Sequence, residues 1–130
     1  MSVDREKTVA EFYEAFNHHD MEVMEEHLAP EVEWSTADGA RQRGRGTFRS
    51  YWLGAWQTAD IRIEPMQMVT TADGEVHVRV QQVVTASDGK ILENKKLEQV
   101  FGFAGVFINR IDVIDRDPAP DEDEDEDGDA

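Results

Sequence analysis

Cysteine is absent from the 130 residues. That excludes a disulfide framework and a thiolate metal site, and it leaves the redox compartment undetermined. Long apolar runs are absent too: nothing approaches the roughly 18 residues of a membrane span. The opening MSVDREKTVAEF has neither the basic start nor the apolar stretch of a signal peptide. The expectation is a cytoplasmic protein with no membrane partner. Positive charge is scarce, with 13 Lys and Arg against 29 Asp and Glu and a formal net charge of -16. Residues 118–130, PAPDEDEDEDGDA, hold eight acids and no base, and the remainder still carries 21 acids against 13 bases. An acidic body repels phosphate backbones, which argues against nucleic acid. The tail has almost nothing to bury and reads as a disordered, solvated chain whose charge serves solubility or adaptation to salt. Residues 1–117 are long enough for one core and too short for two.

What is present is patterned. Val9, Phe12, Tyr13 and Phe16 fall at the spacing of one helical face between about Asp4 and His18. Asp20 can cap a second, shorter helix with Met21, Met24 and Leu28 inward, ending before Pro30. EVEW at 31–34 reads as a short strand and Ser35 to Gly46 as a polar loop. Thr47 can cap a third helix with Phe48, Trp52, Ala55 and Trp56 on one face. Everything after Asp60 looks extended. Pro65 suggests a bulge or an edge, and Asp73-Gly74 and Asp88-Gly89 are hairpin turn signals. Helices followed by a four-strand meander predict an α+β fold, a cone-like curved antiparallel sheet wrapped around three N-terminal helices. The large aromatics Phe12, Phe16, Trp34, Trp52, Trp56, Phe101 and Phe103 either fill that cone or wall a pocket in it.

Candidate reactive groups are few. His18 and His19 are adjacent on a helix and diverge, and His27 is remote from both, so no metal site is expected and no cofactor is implied. No Ser or Thr has a spacing that implies a histidine partner. Gly44-Arg45-Gly46 lacks the strand, lysine and glycine pattern of a phosphate loop. The stretch EVHVRVQQVV at 75–84 alternates Val76, Val78 and Val80 with His77, Arg79 and Gln81. The default reading buries the valines. Arg79 cannot face a filled interior without a partner, so it faces either solvent or a wet pocket.

The strings FYEAFNHHDMEVMEEHLAPEVEW, RGRGTFRSYW and VFGFAGVFINRIDVID, in this order of elements, resemble the nuclear transport factor 2-like superfamily, and within it the SnoaL-like group, over about residues 5 to 116. The resemblance implies a cone-like α+β fold that often pairs into dimers through its sheets. It also implies a range of activities: polyketide cyclases, a ketosteroid isomerase, an epoxide hydrolase and members with no known reaction. Fold alone does not choose among them. Carried over by position, the isomerase's tyrosine, protonated aspartate and base fall at Phe12, Gln99 and Trp34, and none of these abstracts a proton. The hydrolase's Arg-x-Asp pair falls at Arg79-Val80-Gln81 and its second aspartate at Val113, so the carboxylate pair is missing. Of the cyclases' acid/base aspartate, Asp112 or Asp115 lies near the corresponding final strand.

In the family the concave sheet face lines the cavity, and the outer face often meets a second subunit. That implies an inverted reading of EVHVRVQQVV, with Val76, Val78, Val80, Val100 and Ile114 packed in a homodimer interface. The pocket then receives His77, Arg79, Gln81, Gln99, Phe101, Ile111 and Val113, with Glu93 or Asp115 to pair with Arg79. The expected function is binding of a small, largely apolar organic ligand in the hollow, walled by Phe12, Phe16, Trp34, Trp52 and Trp56. The alternatives are a cyclase-like or hydrolase-like enzyme, with Asp115 and His77 as the candidate catalytic residues, and a non-catalytic dimeric module with a filled core.

Overall fold

Val9, Phe12, Tyr13 and Phe16 form the buried stripe of the first helix, α1 (Ser2–Asn17), in the computed structural model, which describes residues 2–36 and 40–114 and side chains from residue 5 onward within them. Asp20 caps α2 (Met21–Glu26), its Oδ1 accepting from Val23 N at 3.3 Å. The chain continues through β1 (Leu28–Ser35), β2 (Arg41–Arg43), α3 (Arg45–Thr58), β3 (Asp60–Thr70), β4 (Val76–Thr85), β5 (Ile91–Ala104) and β6 (Phe107–Ile114). The fold is α+β, a curved open sheet of six strands with helices against its concave face. The expected acidic tail at 118–130 lies outside the described residues. Among the described residues no helix is long and apolar enough to cross a membrane.

The strand order is β2-β1-β6-β5-β4-β3. All neighbours are antiparallel except β1 and β6, which run parallel, so the sheet is mixed rather than purely antiparallel. Pro65 lies in edge strand β3, where the register shifts between Pro65 and Gln67, so this proline stands both at an edge and at a bulge. Gly74 and Gly89 turn the two hairpins with φ near 90°, a conformation that favours glycine. Further details differ from the sequence reading: α2 ends at Glu26, so Leu28, expected on that helix, instead opens strand β1 ahead of the expected start at Glu31. Part of the expected loop at 35–46 is strand β2, whose Arg-Gln-Arg side chains are all exposed, so only backbone pairing to Glu33, Trp34 and Ser35 reveals it. Helix α3 begins at Arg45, ahead of Thr47. Its cap is Gly44 at φ 103°, with no side-chain cap hydrogen bond.

Docking of the helices is specific. Asn17, at the end of α1, clamps β3 with two backbone bonds, Nδ2 donating to Ile63 O at 2.8 Å and Oδ1 accepting from Ile63 N at 2.9 Å. Arg5 donates to Gly74 O and Gly105 O and lies over the Phe103 ring, 5.0 Å from its centroid, tying the start of α1 to two turns of the sheet.

The inverted reading of β4 does not hold. Val76, Val78 and Val80 are fully buried against the helices, while His77, Arg79 and Gln81 are half-buried on the outer face. The cause is one residue. Thr85 pairs with Ile91 but Val84 pairs with Glu93, leaving Leu92 as a bulge in the hairpin. A one-residue slip moves a strand's side chains to the other face. Even positions of β4 therefore share a face with odd positions of β5: Val76 lies opposite Phe101, Val78 opposite Gln99 and Val80 opposite Leu97. With the valines inward no buried guanidinium needs a partner, and the desolvation cost that made Arg79 the critical residue never arises.

Candidate functional site

Mostly apolar side chains from two helices and four strands converge under the concave sheet. Phe12, Tyr13 and Phe16 come from α1, Trp34 from β1, Phe48 and Trp52 from α3. Ile63, Gln99, Phe101, Ile111 and Val113 close the sheet side. The rings meet mostly edge to face: Phe12 on Phe101 at 5.8 Å, Tyr13 on Phe101 at 5.6 Å, Trp34 on Phe48 at 5.3 Å and Phe16 on Trp52 at 4.9 Å. Such pairs add about 0.5–1.5 kcal/mol beyond their area burial. The space left between them is about 30 Å³, close to the share of one water. Ligand pockets are typically about 300–1,000 Å³, so this hollow is contracted.

Four polar groups belong to the cleft. The Tyr13 hydroxyl donates to Gln99 Oε1 at 2.5 Å, and burial pushes its ionisation well above the ordinary tyrosine range, so the phenol is neutral. Ser35 Oγ accepts from Val113 N at 3.0 Å. Gln99 is only 7% exposed, and among the described residues no acceptor takes its Nε2 hydrogens. The indole N–H of Trp34, a residue 2% exposed, is buried with no acceptor among the described residues, and so is that of Trp56. Trp56 stands behind Phe16 at 5.5 Å and stacks on His19 at 4.4 Å. Among the described residues no Asp, Glu, His, Lys or Arg lines the cleft.

Of the residues expected in the pocket, the cleft gathers Phe12, Phe16, Trp34, Trp52, Gln99, Phe101 and Val113, with Trp56 adjoining. His77, Arg79 and Gln81 lie on the other side of the sheet. There His77 sits 3.4 Å from both Glu75 and Glu98, and Gln81 donates to Asn94 at 2.7 Å. Arg79 borders an open outer depression with Gln67 and Val69 and is paired in register with Glu98. Glu93, proposed as its partner, instead accepts from Gln82 and pairs with Lys95 at 2.9 Å. Asp112 is held on the outer face by Arg41 at 2.8 Å and Arg110 at 2.7 Å. Asp115 lies outside the described residues.

Sequence reasoning passed over Tyr13 and Phe48 as site residues. Tyr13 carried a signal, since its place on the inward face of α1 obliges its hydroxyl to find a partner. A larger trough, about 410 Å³, lies elsewhere between Arg5, the β3–β4 turn and β6, but it is open and lined mainly by charges of both signs. Among the described residues no cluster of three His, Asp or Glu could hold a metal.

Residues 9–94 match the model of the SnoaL-like domain, and the chain belongs to that family, within the nuclear transport factor 2-like superfamily. Three solved structures illustrate the likeness. A nuclear transport factor 2-like protein of unknown function from Burkholderia pseudomallei superposes with a TM-score of 0.75 at 22% identity, covering 85% of this chain and 88% of its own. A putative polyketide cyclase from Xanthomonas campestris superposes at 0.72 and 20% identity, covering 85% and 88%. SalBIII, an epoxide hydrolase/cyclase-like enzyme of pyran ring formation in the polyether salinomycin, superposes at 0.77 and 20% identity, covering 88% and 93%. At these identities the likeness is one of fold. Among curated proteins no sequence match is found.

Proposed function

We propose that this SnoaL-like protein binds a small, largely apolar organic molecule in the aromatic cleft between α1, α3 and the concave sheet. The observation that carries this reading is the Trp34 indole N–H, a buried donor without an acceptor among the described residues, in the wall of a largely apolar cleft. Such orphaned donors are rare in folded proteins and ask for an explanation. A ligand oxygen supplies the missing acceptor. Entry requires the cleft to widen, and α3 is the wall most lightly held: Phe48 is its one buried side chain, while Trp52 is half-buried and Tyr51 exposed. Trp34 and Trp52 line the cleft and Trp56, the third tryptophan, packs behind Phe16, so intrinsic fluorescence is a built-in reporter. Titration with aromatic and alicyclic compounds should shift that emission and raise the melting temperature. No change across such a panel would overturn the reading.

The about 30 Å³ void favours one other reading, a non-catalytic module whose hollow is filled by its own aromatic side chains. A cyclase-like or hydrolase-like reaction finds support in the relatives but no acid or base in the described lining. His77 stands on the wrong face for that role, and Asp115 is the remaining candidate. We also propose a homodimer through the outer sheet face, where half-buried Val100 and Ile114 sit among polar side chains, and a cytoplasmic location consistent with the acidic, cysteine-free composition.

A further inference from the structure

Strand β5 outruns its neighbour on one side. It pairs with β4 from Ile91 to Phe101, but with β6 only from Glu98 to Ala104. Among the described residues nothing pairs with the backbone of residues 91–97 on the β6 side. Alternate residues of that stretch aim N–H and C=O groups at the vacant side, an open edge that invites another chain. Ile91 and Leu92 beside it are 60% and 59% exposed.

The chain itself heads down this edge. Ile114, the last described residue, stands opposite Glu98, and β6 runs antiparallel to β5. The continuation of β6 therefore meets Leu97, Lys96 and Lys95 in turn, and residues 115–130 are more than enough to pass every open position back to Ile91. Charge agrees with direction. The chain has four lysines, of which Lys90, Lys95 and Lys96 belong to this edge and Lys7 to α1. Lys90 and Lys96 are exposed, and among the described residues no ion pair holds either side chain, while Lys95 pairs with Glu93 at 2.9 Å. Residues 118–130 carry eight acids and no base. Tethered a few residues away, they stand at high effective concentration around these lysines.

We propose that residues 115–117 prolong β6 along the open side of β5, and that the acidic run beyond Pro120 lies against Lys90 and Lys96, closing the edge to other copies of the chain. Pro118 and Pro120 have no N–H to lend a ladder, so backbone pairing ends at Asp117 and charge carries the rest. The ion pairs join exposed groups, which makes them sensitive to salt.

Carbodiimide coupling joins a lysine amine to a carboxylate only where the two touch, and it tests the contact on the full chain. At low ionic strength, peptides from 118–130 should be coupled to Lys90 and Lys96 several-fold more than to Lys7, and the excess should vanish at about 1 M salt, where charges are screened beyond about 3 Å. Mixing isotope-labelled with unlabelled chains separates coupling within a chain, the expected result, from coupling between two. In the double variant Lys90→Gln with Lys96→Gln, the amides of residues 91–97 that face away from β4 should exchange about fivefold faster than in the unaltered protein, the loss expected of two exposed ion pairs. The amides bonded to β4 should be unmoved, which shows that the variant is folded. Tail coupling spread evenly over Lys7 and the β5 lysines, or unchanged exchange in the variant, overturns the proposal and leaves the lysines guarding an open edge by their own charge. Coupling only between labelled and unlabelled chains overturns it in favour of a second copy on the edge.

Discussion

Replacing Val78 and Arg79 by alanine, one at a time, tests the assignment of faces on β4 directly, because neighbouring residues on a strand have opposite fates. Val78 is fully buried opposite Gln99, while Arg79 lies on the outer face. Val78→Ala removes two carbons, about 0.8 kcal/mol each in lost transfer free energy. The unfilled space adds a cavity term, for a total of about 2–3 kcal/mol. Arg79→Ala removes an outer-face side chain and should change stability by about 0.5 kcal/mol or less. With a urea slope of about 1–3 kcal/mol/M, typical of small domains, the valine variant's midpoint falls by about 1–2 M and the arginine variant's barely moves. Equilibrium unfolding followed by far-UV circular dichroism measures both. Protein concentration must be held constant, since any subunit contact through the outer face would itself shift the midpoint. Equal losses from the two substitutions, or a larger loss from Arg79→Ala, would refute the placement of the valines inward.

The remaining predictions are shorter. Tyr13→Phe strands the buried Gln99 acceptor and should cost about 1–3 kcal/mol, whereas the double variant Tyr13→Phe with Gln99→Leu, removing both partners, should recover much of that loss in the same unfolding assay. The Tyr13 phenol ionises well above its unfolded-state value because it is buried. Above pH about 10 the unfolded chain therefore releases a proton that the folded chain retains. Stability from this source is complete below that pH and declines as pH rises beyond it, and Tyr13→Phe should flatten the decline in alkaline unfolding curves. Asn17→Ala removes both bonds to the Ile63 backbone and should cost about 1–3 kcal/mol, read as a fall in the urea midpoint. Gly54 lies inside α3 with open space where a Cβ would stand, so Gly54→Ala should stabilise by about 0.5–1 kcal/mol and raise the melting temperature.

Local signals in the sequence were reliable where their physics is local. The inward stripe of α1, the Asp20 cap and the Asp-Gly turns each depend on a few neighbouring residues, and each stands in the structure. The aromatic wall was legible for a related reason: Phe12, Phe16, Trp34 and Trp52 are large and regularly spaced, so they must go under the sheet. Strand β2 was not legible, because an exposed Arg-Gln-Arg edge carries no apolar alternation, and it is held by backbone pairing and by the ion pairs of Arg41 with Glu33 and Asp112.

The face of the polar row on β4 turned on something a single strand cannot encode. A hairpin closed at Asp88-Gly89 with unbroken register would continue the Thr85–Ile91 pairing and set His77 opposite Gln99 and Arg79 opposite Leu97. The odd residues of both strands would then share one side. The Leu92 bulge shifts the ladder by one, so the inward set becomes the valines of β4 together with Leu97, Gln99 and Phe101 of β5. Leu92 itself is 59% exposed and marks no feature of the core. The burial energies of the two possible β4 faces expose the same choice: inverting the strand would remove three valines from the core and bring a guanidinium into contact with Leu97. The unbroken hairpin is thus the costlier structure, and the bulge follows from keeping Arg79 outside while Gln99 stays inside. Gln99 in turn is tolerable there because Tyr13, four residues along α1 from Val9, meets its oxygen. The two amides assigned together to the pocket, Gln81 and Gln99, have opposite situations: one bonds Asn94 on the outer face, and the other accepts from Tyr13 beneath the concave face.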